Sequence, residues 1–473
     1  MKTARRILTN FLSLTTAEMI SKLIQLIIFI YIARSFGKSE FGKFGFALAF
    51  STIIVVITDF GINTLLIREI SRDKKNVDKF VSNALTLKVA LSIVTLIVSF
   101  LYFNFVKYDY ATKNITYFMI LFMVLQSFTD TFYSVFRAFE KMHYDAIMKV
   151  VRMLMLIFLV YFFISQSQNL VFITLMFPIT EVIILIASMI IYTRNFSKLS
   201  LGFNFGFEKE LIKKSAFFCL SIIFGTVILY IDTIMLEGIR GPEEVGIYSA
   251  AYNLLLGVTF IPLMFSNAIY PVFSRYFVRD RELLRFAYKK SFQYMLIIGL
   301  PITAGIFIYS RNIVLLAYGI EYAKSIIVIK ILCWFILLRF INIVSGTLLS
   351  SADRQGARVF GQGTVALVNI ILNLILIPKY GFIGAGIATI ASESFFFVTY
   401  YYFIFKEKLN IDYFVVSAKP LIASIVMLLA ISFVPDLLIG SILGAFSYIG
   451  MLLLLKAFKN EDKELLTRIL RNY

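Results

Sequence analysis

Histidine, tryptophan and cysteine are nearly missing from this chain, which has one, one and two of them in 473 residues. His143 by itself builds no His/Cys metal site and no Cys–His nucleophile pair. Cys219 and Cys333 both fall within apolar runs, where each reads as a small buried hydrophobe. No metal site and no cofactor are therefore expected. Charge is also scarce, at 16% of residues, against about 25% in soluble domains. No Gly-rich loop followed by Lys-Ser/Thr is present, which argues against ATP hydrolysis by this chain. Gly381-Phe-Ile-Gly384-Ala-Gly386 resembles a dinucleotide fingerprint only superficially. It opens an apolar run, so close helix packing by small residues is the better reading.

What the chain does have is hydrocarbon. Sixty per cent of its residues are hydrophobic and its mean hydropathy is +0.86. A bilayer core about 30 Å thick needs roughly 20 helical residues to cross. Runs of that length lie near 11–33, 44–66, 80–106, 115–136, 146–165, 169–193, 213–236, 246–270, 290–310, 325–350, 358–378, 382–405, 414–433 and 437–456. Short alternating segments of the transmembrane β-barrel kind are absent. The expected fold class is all-α integral membrane, with about 14 transmembrane helices. The first run follows Lys2, Arg5 and Arg6 but contains Glu18 and Lys22 and has no small-residue cleavage site after it, so it reads as a retained span.

The net charge of +18 sits in the connections between runs. That placement, without a basic patch or amphipathic stripe, points away from nucleic acid. The stretch Arg275–Lys290 reads as an anchor against anionic headgroups. Counted on alternate connections, 33 Lys/Arg fall on the side of the N-terminus, 9 on the other and 4 within spans. This bias predicts a multi-pass cell-membrane protein with both termini cytoplasmic.

An internal echo divides the chain. Gly37-Lys-Ser-Glu40-Phe-Gly42, with Ala47 following, is repeated as Gly241-Pro-Glu-Glu244-Val-Gly246, with Ala251 following. Both copies fall at an external turn after the first span of a six-span half. An even number of spans lies between them, so parallel repeats about an axis along the membrane normal are expected. The expected division is 1–200 for spans 1–6, 207–406 for spans 7–12, and 407–473 for spans 13–14 with a cytoplasmic tail.

Ionisable residues within spans are the default functional candidates, because each costs about 2.5–3.5 kcal/mol at mid-helix on insertion scales. Glu18 and Lys22 share a helix face and can pair. Asp59 and Asp232 are placed near external helix ends, where water can cap them. Glu181, Asp232 and Glu393 are candidate ion-coupling acids, although Ser392, Ser394 and Thr389 could satisfy Glu393 structurally. Lys22, Lys88 and Arg339 lie six or more residues inside their spans, too deep for easy snorkelling. Three cations opening on one cavity would suit a phosphate or pyrophosphate. Lys330 is nearer a helix end and should snorkel.

Several segments in order resemble a known family. Phe36-Gly-Lys-Ser-Glu-Phe-Gly-Lys-Phe-Gly-Phe-Ala47, Thr58-Asp-Phe-Gly-Ile-Asn63, Tyr230-Ile-Asp-Thr-Ile-Met235, Val245-Gly-Ile-Tyr-Ser-Ala-Ala-Tyr252, Tyr270-Pro-Val-Phe-Ser274 and Ile377-Pro-Lys-Tyr-Gly-Phe-Ile-Gly-Ala-Gly-Ile-Ala388 are similar to polysaccharide-biosynthesis flippases of the O-antigen exporter type. These belong to the multidrug/oligosaccharidyl-lipid/polysaccharide exporter superfamily. The resemblance implies two six-helix lobes in a V around a central cavity, plus two C-terminal helices. It implies a cargo of polyprenyl-phosphate- or pyrophosphate-linked oligosaccharide, moved from the cytoplasmic to the outer leaflet by alternating access. The implied partners are that lipid-linked cargo, membrane lipids, and a polysaccharide polymerase or glycosyltransferases. A cation-coupled drug or small-molecule antiporter of the same superfamily is the alternative. A membrane polysaccharide polymerase fits less well, since every external connection is short.

Overall fold

Backbone amides in lipid must be satisfied within their own segment, and helices do this wherever the run is long enough. The structure, a computed structural model, describes residues 2–166, 169–200, 202 and 204–457, and these contain no strand. The tail from 458 onward, expected to be cytoplasmic, lies outside the described residues, as do the side chains of the basic leader Lys2, Arg5 and Arg6. The helices in order are α1 (Lys2–Ile54), α2 (Val56–Asp59), α3 (Ile62–Arg72), α4 (Val77–Phe105), α5 (Tyr110–Ala138), α6 (Met142–Ile164), α7 (Leu170–Asn195) and α8 (Phe205–Arg240). There follow α9 (Pro242–Val258), α10 (Phe260–Arg279), α11 (Arg281–Ile308), α12 (Ser310–Tyr318), α13 (Ser325–Ser351), α14 (Gln355–Lys406), α15 (Tyr413–Ser432) and α16 (Leu437–Leu454).

Among the described residues, twelve helical stretches are long and apolar enough to cross a membrane. Two of them hold two spans each. α1 has 53 residues and α14 has 52, about 80 Å of helix against a core of about 30 Å. Each is broken once, at Gly37 (φ 74°, ψ 177°) and at Gly381 (φ 58°, ψ −134°). Counting both halves of each gives the fourteen spans expected from hydropathy.

The second span departs from its expected end. Instead of running to residue 66 it stops at Asp59, because Phe60 (φ 46°) and Gly61 (φ 75°) leave the right-handed region. The chain then forms α3, whose Ile62, Leu65, Leu66 and Ile70 are buried while Arg68 and Arg72 are exposed. That is the pattern of an amphipathic helix packed by one face on α5 and α8. Asp59 is thus the last residue of α2, with its Oδ1 3.1 Å from Lys88 Nζ.

The helices form two compact units, Met1–Gly246 and Ile247–Tyr473. In the first, α1 packs on α5, α6 and α8, and α5 on α7. In the second, α13 packs on α11 and α14, and α15 packs on α11 and α16. The boundary follows α8, one span later than the 194–214 connection.

The sequence echo has a structural counterpart inside the first unit. Gly241 (φ 87°, ψ 178°) has the backbone conformation of Gly37. Its companions meet face to face. A Cβ added to Gly42 would lie 1.7 Å from the Pro242 carbonyl oxygen, and one added to Gly246 would lie 1.8 Å from the Lys38 carbonyl oxygen. Residues 38 and 242, like 42 and 246, are equivalent in the repeat, so the contact is reciprocal, as about a local two-fold axis. Lys38 and Glu243 close over it at 2.7 Å.

Candidate functional site: charged side chains within the spans

In the first unit, the start of α6 carries Asp145, Lys149 and Arg152, at spacings of four and three, and so presents them on one face. Arg137 Nε donates to Asp145 Oδ2 at 2.6 Å. Lys149 Nζ lies 3.2 Å from Asp145 Oδ1 and 3.1 Å from Glu18 Oε1. Arg152 Nη1 meets Glu181 Oε2 at 3.4 Å, and Thr129 Oγ1 donates to Glu181 Oε1 at 2.7 Å. Arg152 and Glu181 are both buried, and the Arg152 Nε has no hydrogen-bond partner. Asp130 faces the same cluster, with Arg152, Lys149, Arg137 and Asp145 as its charged neighbours.

Lys22 lies on the edge of this network. Glu18 pairs with Lys149, so the expected Glu18–Lys22 pair is replaced by a bond from Lys22 Nζ to Gln25 Oε1 at 3.1 Å. Lys22 is exposed, and its charged neighbours are Arg152, Glu18 and Lys149. Its side chain is exposed at the residue level on a spanning helix, while its ammonium is surrounded by protein and bonded to a neutral partner. Lys88 is different. It is fully buried, with Nζ 3.1 Å from Asp59 Oδ1, 2.9 Å from Asn63 Oδ1 and 2.6 Å from the Ser127 carbonyl oxygen. Its charge is already matched and enclosed, so the structure does not bring it onto a wet surface with Lys22. Asp232 is buried on α8 and has interaction partners.

The second unit repeats the theme with other residues. Arg339 Nη1 meets Glu393 Oε1 at 2.8 Å, and Asn342 Nδ2 donates to Glu393 Oε2 at 2.7 Å. The carboxylate that Ser392, Ser394 and Thr389 were candidates to satisfy is held by an arginine and an amide. Glu181 and Glu393 each carry one guanidinium. Arg339 opens on a cavity of about 240 Å³ with Arg358, Gln362 and Tyr400. Lys330 is exposed, with its ammonium 5.8 Å from the Phe307 ring centroid. A larger cavity of about 740 Å³ between α11, α15 and α16 is walled mainly by aliphatic side chains.

Four of these residues escaped the sequence reading. Lys149, Arg152 and Arg358 fall within the stretches 137–152 and 353–358 counted as connections, and Tyr400 is one tyrosine among 26. The Asp145/Lys149/Arg152 spacing was a usable signal for the first two. Nothing local marks Arg358 or Tyr400.

The sequence profile described as "Polysaccharide biosynthesis protein" matches residues 7–277, and the MatE profile matches 218–375. The chain is 23% identical over 373 residues to a probable low-salt glycan biosynthesis flippase, Agl15, of Haloferax volcanii, covering 76% of each protein. It is 24% identical over 406 residues to the capsular polysaccharide biosynthesis protein CapF of Staphylococcus aureus, covering 83% of this chain and 98% of that one. Its fold is similar to that of the lipid II flippase MurJ in an inward closed conformation, with a TM-score of 0.79 at 16% identity over 94% of this chain and 98% of that one.

Proposed function

Because the chain belongs to the polysaccharide biosynthesis protein family, whose profile spans residues 7–277, we propose that it is a flippase for polyprenyl-phosphate- or pyrophosphate-linked oligosaccharide. It carries its cargo from the cytoplasmic to the outer leaflet by alternating access, as a transporter and not a catalyst. The names of Agl15 and CapF support glycan export. The observation that carries the reading is Lys22, a cation on a spanning helix with no carboxylate as its direct partner. A phosphate drawn from the headgroup layer gains a charge-assisted bond there, while its isoprenoid tail stays in lipid.

Glu181 and Glu393 are the proposed coupling acids, with Asp232 as a third. A proton taken up by either glutamate neutralises the partner of Arg152 or Arg339 and leaves that guanidinium to hold an anion. Outward movement of each negative charge gains about 2.3 kcal/mol per 100 mV when the inside is negative. We place the protein in the cell membrane with both termini cytoplasmic, and assign release of the Gly42–Gly246 contact to outward opening. The two six-span lobes, 1–200 and 207–406, are proposed as the moving bodies, with the spans after 407 appended.

Reconstitution with candidate polyprenyl-linked glycans and direct assay of leaflet exchange tests this. Lys22→Ala should slow exchange at least tenfold with insertion unchanged; exchange at the wild-type rate refutes the role. Cysteines placed at 40 and 280 should label from outside and inside respectively, and labelling from one side overturns the orientation. The MatE match and the balance of four acids (Glu18, Asp130, Asp145, Glu181) against four cations (Lys22, Arg137, Lys149, Arg152) favour a second reading, a cation-coupled antiporter. Uptake of an organic cation without glycan exchange would select it.

A further inference from the structure

The 240 Å³ cavity of the second unit has a composition that a phosphate site alone does not require. Its walls come from α10, α13 and α14 and include Arg339, Asn342, Arg358, Gln362, Phe396 and Tyr400. It holds two guanidiniums near one carboxylate, and that carboxylate, Glu393, is engaged by Arg339 and Asn342. Arg358 therefore supplies the uncompensated charge. Its Nη1 donates to Ser350 Oγ at 2.9 Å, but its buried Nε has no partner. The Asn342 amide spends its Nδ2 on Glu393, leaving a buried Oδ1 that accepts nothing. One donor and one acceptor, both enclosed, thus stand unmet in residues that line the cavity, a costly arrangement that a small side-chain turn toward a ligand would relieve.

Beside them, the Phe396 and Tyr400 rings lie one turn apart on α14 with centroids 4.4 Å apart. Apolar ring faces next to an amide acceptor and a planar cation are the combination that an acidic sugar needs. Aromatic faces cover its C–H face, the amide takes a hydroxyl proton, and the guanidinium forks onto a carboxylate. The volume is below the range of about 300–1,000 Å³ for drug-sized pockets. That is a size suited to a single sugar ring.

We infer that this cavity binds one carboxylate-bearing sugar residue, with the carboxylate on Arg358 and the ring against Phe396 and Tyr400. The inference rests on the flippase reading in supposing that the cargo is a glycan, and it adds that the glycan contains a uronic acid. One net positive charge matches a monoanion better than a phosphate dianion.

The test uses the purified full-length protein in detergent, with glucuronate, glucose and inorganic phosphate as probes in ligand-observed NMR titrations. Glucuronate should bind saturably and at least tenfold tighter than glucose, and equimolar phosphate should not displace it. Arg358→Gln should weaken glucuronate at least tenfold, and Arg358→Lys, which keeps charge but loses the fork, by less. Phe396→Leu, which leaves the charges in place, should weaken glucuronate and glucose alike and serves if the arginine variants fail to fold. Equal binding of the two sugars, displacement by equimolar phosphate, or no saturable binding by folded protein overturns the inference. Glucuronate binding without leaflet exchange of any glycan would sink the transport reading and leave this site standing. Exchange without glucuronate binding would do the reverse.

Discussion

Glu181→Ala is expected to destabilise the protein by about 3–5 kcal/mol, the usual cost of stripping one partner from a buried ion pair. The Arg152 and Glu181 side chains are 7% and 0% exposed and meet at 3.4 Å. Deleting the acid removes the carboxylate in contact with a buried guanidinium that cannot shed its proton, leaving Asp130 as a more distant charged neighbour. Arg152→Met should cost less, because the stranded Glu181 can become neutral by protonation and keeps its bond from Thr129. The double variant Arg152→Met/Glu181→Met should recover most of the loss, since two apolar side chains replace a pair whose desolvation offset its attraction. Denaturation midpoints in detergent give the order: Glu181→Ala lowest, Arg152→Met next, and the double variant near wild type. A double variant no better than Glu181→Ala would show that the pair is not the unit of stability here. If Glu181 also couples ions, the double variant should be stable and yet transport poorly.

Gly42→Ala should abolish the reciprocal bend contact outright. A methyl group 1.7 Å from the Pro242 carbonyl oxygen cannot be relieved by a rotamer, because its opponent is backbone. Gly246→Ala meets the Lys38 carbonyl oxygen at 1.8 Å and should behave alike. Cysteines at 38 and 243, whose native side chains meet at 2.7 Å, should be joined by a short bis-maleimide in the wild-type background. In either alanine background the yield should fall at least tenfold, corresponding to about 1.4 kcal/mol against the closed contact. Unchanged linking would mean that the bends part and rejoin freely and that the glycines are not needed for closure. If the contact is the outer closure of a transport cycle, both variants should also accumulate the outward-open state.

Much of this architecture is legible from one sequence because lipid leaves few choices. A run of about 20 apolar residues has to be a helix, so span number follows from hydropathy. The echo around Gly37 and Gly241 was visible as letters, and its meaning could be guessed from where it fell in the topology. Its reciprocal contact could not be guessed, since no local pattern says which backbone a glycine will touch. The second span was misjudged at its end because Phe60 is apolar and hides a left-handed turn behind a favourable hydropathy.

The charged site was legible in kind and not in pairing. Lys22, Lys88, Arg339, Glu181 and Glu393 stood out as expensive groups in lipid, and that cost guarantees partners without naming them. Glu18 had Lys22 four residues away and took Lys149, 131 positions along the chain. Lys88 looked like a ligand for phosphate and turned out to be enclosed by Asp59, Asn63 and Ser127. Arg358 counts among the connection charges and Tyr400 is one tyrosine among 26, yet both line the polar cavity of the second unit. Sequence by itself determined the solvent this chain lives in, the number of its crossings and the family to which they belong, because transfer free energy is additive along a chain. Tertiary structure alone decided which buried charges are matched and which remain available, because a Coulomb interaction depends on distance between side chains and not on their order.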